Sequence, residues 1–542
     1  MKNFLFVVPR FAPVGKYYSF PIGMGYVMSS MKQKGFRVFC VNLCHTSDSV
    51  EKTLAESIKD NEIDVLCTGA MSFNWNEVND VVETTKRIKP GIVTVVGGAI
   101  ITADPTFSFE NLGIDYGVIG EGEKTMAELA AALSSGENIS EVDGLIFYDK
   151  DKNIVLTKPR EAISDLDALP FPDYEGLEFD KWVANSWMEQ CYQALIFDCD
   201  EKQRLCEIIT SRGCPYSCTF CYHPLGKKYR QRSLDNAFKE IDFLVKTYDI
   251  NILNVLDELF SLNEERVYSF IERIKKYNIR WSAQWRVNNV NEAIFKELKE
   301  SGILQIGLGV ESMSDKILKS MKKKINTSQI ESAFKTAHEV GVCVVANIIL
   351  GDLEETEETV KESVDWWLAH PQYEISLGFI RAVPDAPIYR YALVNNLIKD
   401  KLQFIKERFP LINLTKMTDK QFRRVVKDVN YMNSSQKNRL EGKVLSSKVS
   451  SVGDNGKKIY DFQVKCPLCQ KTSDYRYFQF SLKPYSIIGC KHCYKRIKVS
   501  TKKIFYQDYN SFRGFVLQIM TVVYFTFLKR FSFFRRIRNM LR

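Results

Sequence analysis

No internal repeat and no low-complexity block stands out in this sequence of 542 residues, which excludes solenoids and disordered arrays. No run reaches the roughly 20 apolar residues of a spanning helix. The opening MKNFLFVVPRF is too short an apolar run for a secretory leader, so a cytoplasmic chain is expected. Charge of one sign is scarce as well. The formal net charge is +9, but residues 501–542 hold nine Lys/Arg against Asp508, which leaves residues 1–500 at +1. With no basic stripe outside that tail, no nucleic-acid partner is expected.

The length exceeds what one core supports and points to three or four domains. A cytoplasmic setting makes the 14 cysteines thiols or metal ligands rather than disulfides. Seven fall in two tight groups, at 214–221 and 466–493. The others (Cys40, Cys44, Cys67, Cys191, Cys199, Cys206, Cys343) read as small buried hydrophobes.

Apolar runs at 3–9, 36–43, 63–70, 91–98 and 115–120 read as buried parallel strands. Amphipathic stretches at 22–34, 76–88 and 123–134 alternate with them, giving a doubly wound α/β sheet over residues 1–140. Residues 141–200 read as a hairpin around Asp149–Asn153, a proline-punctuated linker and an unassigned aromatic stretch. A second series has strands at 206–212, 250–257, 279–285, 304–310, 343–350 and 374–380. Helical stretches at 233–247, 263–277, 291–301, 327–339 and 355–369 separate them, so residues 201–395 form a (βα)6 partial barrel with its chemistry at the strand C-terminal ends. Residues 396–460 read as charged and mostly helical.

The loop after the first barrel strand reads RGCPYSCTFCYHP (212–224). Cys214, Cys218 and Cys221 are spaced C-x3-C-x2-C, a spacing that can wrap one metal centre. On a four-iron cluster three thiolates leave one iron open, as a catalytic site requires. Zinc is the rival, with His223 as fourth ligand, and a chance cluster is the third reading.

This loop, after the first strand of a partial barrel, resembles the signature of the radical S-adenosylmethionine (SAM) enzymes. Further stretches are similar in order. VLDELF (255–260) resembles the acidic motif that places Asp257 and Glu258 near the SAM amino group, and Arg286 follows the third strand. GLGVES (307–312) resembles the motif that puts Glu311 and Ser312 near the ribose. NIILGDLEET (347–356) resembles the glycine motif around Gly351, although Asp352 and Leu353 stand where the family's proline is usual. PDAPIY (384–389) also departs from the usual pattern. The resemblance implies a [4Fe-4S] cluster, SAM as cosubstrate, a 5′-deoxyadenosyl radical, and an electron donor such as flavodoxin or ferredoxin.

Residues 1–135 resemble the cobalamin-binding domain of B12-type members of that family. SFPIGMGYVMSSMKQKGFRV (19–38), VVGGAIITADP (95–105) and DYGVIGEGEKTMAEL (115–129) carry the likeness, as do VDGLIFY (142–148) and LDALPFPDY (166–174). Ser72, Gly97, Gly98, Gly120 and Gly122 are the candidates for a backbone surface against the macrocycle. The Asp-x-His-x-x-Gly motif of other B12 proteins is absent and His45 reads as a surface-loop residue, so cobalamin without a protein imidazole is implied. A degenerate scaffold without cofactor is the alternative.

Cys466, Cys469, Cys490 and Cys493 form C-x2-C-x20-C-x2-C around a strand-rich insert (475–482). Residues 461–500 therefore read as a zinc-ribbon-like module with a closed, structural site, zinc being favoured over iron. In the basic, aromatic-rich tail 501–542, the run at 514–528 is interrupted by Gln518, Thr521 and Thr526. It reads as a segment lying in a membrane interface, or else as a helix packed on the body.

Together these features predict a cytoplasmic, membrane-associated, cobalamin-type radical SAM enzyme. It would transfer methyl to an unactivated carbon or phosphorus centre of a small-molecule or lipid-linked substrate. A non-methylating rearrangement or cyclisation, and a non-catalytic metal-dependent binding protein, are the alternatives.

Overall fold

The structure, a computed structural model, describes residues 2–185, 203–435, 439–453, 458–478, 480, 485–493 and 496–501. The expectations for the tail beyond Thr501, for Cys191 and Cys199, and for most of the aromatic stretch before the barrel lie outside the described residues.

The first sheet has seven strands: β1 (Asn3–Val8), β2 (Arg37–Asn42), β3 (Val65–Gly69), β4 (Val93–Gly97), β5 (Tyr116–Val118), β6 (Leu145–Tyr148) and β7 (Ile154–Leu156). Their order is β2-β1-β3-β4-β5-β6-β7. The first five are parallel. Every residue of central β1 is buried, which is why it reads as a continuous apolar run rather than an alternation. Helices Ile22–Gln33, Trp75–Ile88 and Gly122–Ser135 lie where the periodicity placed them. The hairpin around Asp149–Asn153 is not a separate add-on, because β6 and β7 extend this sheet antiparallel. Its turn is closed by the Asp149 carboxylate, which accepts from the Asp151 and Asn153 N–H groups at 2.9 and 2.8 Å.

The second sheet is an open, parallel, six-stranded partial barrel: β8 (Leu205–Ile208), β11 (Ile252–Val255), β12 (Arg280–Arg286), β13 (Ile303–Glu311), β14 (Val344–Leu350) and β15 (Glu374–Phe379). A two-stranded clip, β9 (Ser211–Arg212) with β10 (Arg230–Gln231), closes the loop after β8. Along β13, Leu304, Ile306, Leu308 and Val310 join the apolar core, while Gln305, Gly307, Gly309 and Glu311 occupy the other face. The helices start where caps allow. Asn326 and Gln329 form a capping box before Thr327–Val340, which ends at left-handed Gly341. The open edge at β15 is met by helix Asp419–Ser435, whose Asn433 amide donates to the Leu377 carbonyl at 2.8 Å.

The helical expectation for 396–460 fails at its end. β16 (Lys443–Val452) and β17 (Lys458–Lys465) are strands, and with β18 (Thr472–Phe478) they make an antiparallel sheet. β16, KVLSSKVSSV, is exposed along most of its length, so no apolar face marks it. It is held by pairing with β17, whose Tyr460, Phe462 and Val464 are buried. The hairpin of β19 (Tyr485–Gly489) and β20 (Arg496–Ser500) completes the module. Among the described residues no helix is long and apolar enough to cross a membrane.

Candidate active site and second metal centre

The triad loop is closed at its neck. Gly213 has φ +83°, and a Cβ there would lie 2.4 Å from the Lys228 carbonyl oxygen, so only glycine fits. Inside the loop the Cys214 N–H donates to Gly226 and the Cys221 N–H to Cys218, both at 3.3 Å. The Thr219 N–H donates to Met321 at 3.1 Å, and Thr219 accepts from Ile388 at 3.0 Å, which moors the loop on the barrel mouth. Burial, with the charges of Cys218, Glu258 and Cys214, pushes the Cys221 thiol up to about 12. Cys214 is raised too, by burial first. Among the described residues the only metal-ligand group converging within 4.8 Å is elsewhere, at the second cysteine cluster. The triad does not close on one point with His223, whose two ring nitrogens are buried without a hydrogen-bond partner. Three thiolates, each on a different iron, would hold a cluster and leave its fourth iron open.

The structure divides the acidic pair after β11. Asp257 is buried, and its oxygens accept from the backbone and hydroxyls of Thr210 and Ser211 at 2.6–3.0 Å. It braces the start of the cysteine loop rather than facing a ligand. Glu258 lies near enough to the cysteines for its charge to act on Cys214 and Cys221, and partial burial pushes its carboxyl up to about 7. Arg286 lies over the Tyr216 ring at 3.5 Å and donates to the Lys323 carbonyl at 2.7 Å. It therefore steadies the cysteine loop from the third strand.

Glu311 adopts φ +72°, rare for a residue with a side chain. The Lys323 ammonium holds its carboxylate at 2.6 Å, with both side chains largely buried. Ser312 faces inward: its hydroxyl lies 3.3 Å from that of Ser363 and accepts from the Ser314 N–H at 3.2 Å. Gly351 takes φ +108° without the family's proline. Its N–H donates to Glu355 at 3.0 Å, and the Asp352 carboxylate accepts from Ser320 and the Glu354 N–H. Sequence reasoning misses Lys323, since the run at 322–324 does not say which lysine is buried.

The glycine-rich strand ends of the first sheet form a backbone shelf. A Cβ on Gly69 would lie 2.5 Å from the Gly97 carbonyl oxygen, and one on Gly98 (φ +85°) 2.9 Å from that of Ala70. Gly120 faces open space, Gly122 begins the next helix, and the Ser72 hydroxyl donates to Ala99 at 3.3 Å. Met71 and Phe73, 43% and 50% exposed, flank the shelf. A flat macrocycle fits such a surface. The Tyr222 hydroxyl, one residue past Cys221, lies 3.4 Å from the Met71 sulfur, and Ala70, Phe220 and Tyr222 pack on one apolar cluster. The triad loop thus packs against the shelf. His45 is not a surface residue: its side chain is 3% exposed, with Nδ1 2.9 Å from Glu178 and Nε2 3.0 Å from the Tyr18 hydroxyl. Those partners occupy both nitrogens.

The four C-terminal cysteines converge, with Cys466–Cys493 and Cys469–Cys490 sulfurs 3.7 and 3.6 Å apart. That spacing suits four thiolates around one tetrahedral zinc. The module docks at the other end of the barrel. Its Arg496 is hydrogen-bonded to Gln305 near the start of β13, both buried. A small cavity there is lined by Cys493, Arg496, Phe334 and Tyr373.

Comparison with known proteins agrees with this geometry. Residues 208–366 match the radical SAM superfamily and residues 14–130 the B12 binding domain. The chain is 30% identical over 387 residues to an uncharacterized methyltransferase of Pyrococcus horikoshii, covering 70% of this chain and 79% of that protein. It is 26% identical over 359 residues to the anaerobic magnesium-protoporphyrin IX monomethyl ester cyclase of Rubrivivax gelatinosus, covering 64% of this chain and 62% of that protein. The fold is similar to that of the radical SAM methyltransferase TsrM from Kitasatospora setae. The TM-score is 0.57 at 20% identity, over 71% of this chain and 75% of that one. A triad loop on a parallel partial barrel, facing a glycine shelf of the matched B12 domain, places the chain among the radical SAM enzymes that carry a cobalamin-binding domain.

Proposed function

We propose that the chain transfers methyl groups from SAM to an unactivated carbon or phosphorus centre of a small molecule. The observation that carries this reading is the contact of the triad loop with the glycine shelf through Tyr222 and Met71. When bound there, the cluster would supply the electron that cleaves SAM, and cobalamin would carry the methyl group. Cys214, Cys218 and Cys221 would hold the cluster. Glu258 and the Lys323–Glu311 pair would meet SAM's polar groups, and Arg286 keeps the loop in place through Tyr216. Phe220 and Tyr222 give the loop an apolar wall that limits water near a radical.

Anaerobic reconstitution with iron, sulfide, cobalamin and a reductant tests it. A loaded enzyme should convert SAM to both 5′-deoxyadenosine and, only with cobalamin present, S-adenosylhomocysteine. A fully loaded cluster that yields neither would overturn the reading. The cyclase relative supports a second reading, a cyclisation without methyl transfer, for which S-adenosylhomocysteine would not form. Metabolite profiles of cells lacking the chain would give the substrate. A flavodoxin or ferredoxin is the expected electron donor. The basic tail suggests membrane contact and a lipid-linked substrate, and co-sedimentation with anionic vesicles should then be lost on deleting residues 501–542.

A further inference from the structure

The loop that carries the triad begins and ends in arginines, Arg212 on β9 and Arg230 on β10, which are Cα partners in the clip. Both reach into the first domain and meet the same carboxylate. Glu121 takes Arg212 on one oxygen at 2.8 Å and Arg230 on the other at 2.7 Å. The second oxygen also accepts the Ile163 N–H at 2.7 Å. Arg212 has a second partner, Glu123, at 2.7 Å, and its guanidinium lies 5.0 Å from the centre of the Tyr26 ring. All four charged side chains are 3–6% exposed. Burial alone would raise the Glu121 carboxyl, yet the two arginines bring it below its ordinary value. Glu121 sits between Gly120 and Gly122, on the loop that ends β5 at the shelf.

Two buried carboxylates paired with two buried guanidiniums are an expensive way to gain stability, since desolvation offsets most of the attraction. What they fix is geometry, because paired planar forks tolerate little displacement. We propose that Glu121 is a positioning residue: one carboxylate that ties both ends of the triad loop to the shelf loop, and so sets the span between cluster and cobalamin. The proposal rests on the reading of the shelf as a cobalamin surface. SAM held beside the triad would have to offer its methyl group to cobalamin on the shelf, whereas reductive cleavage would need only the cluster.

The test compares Glu121→Gln, which keeps the side-chain shape but removes the charge from both arginines, with Glu123→Gln, which leaves the two-ended tie intact. With both cofactors loaded, Glu121→Gln should lower cobalamin-dependent S-adenosylhomocysteine formation at least about tenfold, and Glu123→Gln by no more than about threefold. In both variants cluster content and 5′-deoxyadenosine formation should stay near the unsubstituted enzyme. In the cofactor-free chain, hydrogen exchange of residues 213–229 should rise in Glu121→Gln and not in Glu123→Gln. Unchanged S-adenosylhomocysteine formation in Glu121→Gln, or loss of cluster and both products together, would overturn the proposal. Equal exchange in the two variants would overturn it as well. If the unsubstituted enzyme forms no S-adenosylhomocysteine, the methyl-transfer reading fails by itself, and the exchange comparison still decides whether Glu121 ties the loop.

Discussion

Asp257 and Glu258 are neighbours with different work. Four hydrogen bonds fill the Asp257 oxygens and tie β11 to the start of the cysteine loop. Asp257→Asn would turn an NH2 toward groups that need an acceptor, at a cost of about 1–3 kcal/mol. Its cluster content should therefore fall while the affinity of the loaded fraction for SAM stays unchanged. Glu258→Gln should do the reverse, with normal iron content and weaker SAM binding measured by titration of the loaded enzyme. Cys218→Ala should abolish SAM cleavage. The motif was legible because its spacing is local, but the division of labour within the acidic pair was not. Both residues are carboxylates after a strand, and only the fold turns one inward.

Glu207 offers a pH test at the same scale. It is buried on β8, accepts from the Tyr17 hydroxyl at 2.8 Å and the Phe20 N–H at 3.0 Å, and burial pushes its carboxyl up to about 7. A folded-state value above the unfolded one means that the native state holds the proton more tightly. Its contribution is then full below about pH 4.5 and is lost as pH rises through about 7. Glu207→Gln cannot ionise. The unsubstituted protein should lose stability relative to this variant between pH 5 and 8, at up to about 1 kcal/mol per pH unit, as denaturant melts at each pH would report.

At the scale of elements, the two cysteine groups contrast. Four sulfurs 3.6–3.7 Å apart in pairs could close around one ion, and aromatic stacking of Phe462 on Tyr475 backs them. A metal held there would supply folding free energy rather than chemistry. Cys490→Ala, or a strong chelator, should release about one zinc per chain and expose β18 to β20 to protease. SAM cleavage in the reconstituted enzyme should persist, because the module docks at the barrel end away from the triad. Both cysteine groups stand out by their spacing, whereas β16 does not stand out at all. Its serines and lysines carry no apolar period, and a strand held by its neighbour's backbone leaves little trace in its own side chains.

At the scale of the whole molecule, the cysteine loop at the strand C-terminal ends of the barrel bridges to the loops at the strand C-terminal ends of the first sheet. The contacts that fix this arrangement join residues far apart in sequence: Glu121 with Arg212 and Arg230, separated by 91 and 109 positions, and Met71 with Tyr222, separated by 151. The ribbon follows the same rule, since Arg496 finds Gln305 at a separation of 191. The sequence by itself determined the two cysteine spacings, the alternation of strands and helices, and the glycines at the strand ends. Each of these is a short-range pattern imposed by ligand spacing, side-chain periodicity or backbone sterics. Only the tertiary structure decided that Glu258 faces the cysteines while Asp257 braces, that His45 is buried and already partnered, and that one carboxylate holds both ends of the triad loop. Those outcomes depend on which polar groups lose water together, and burial is a property of the assembled fold rather than of any segment.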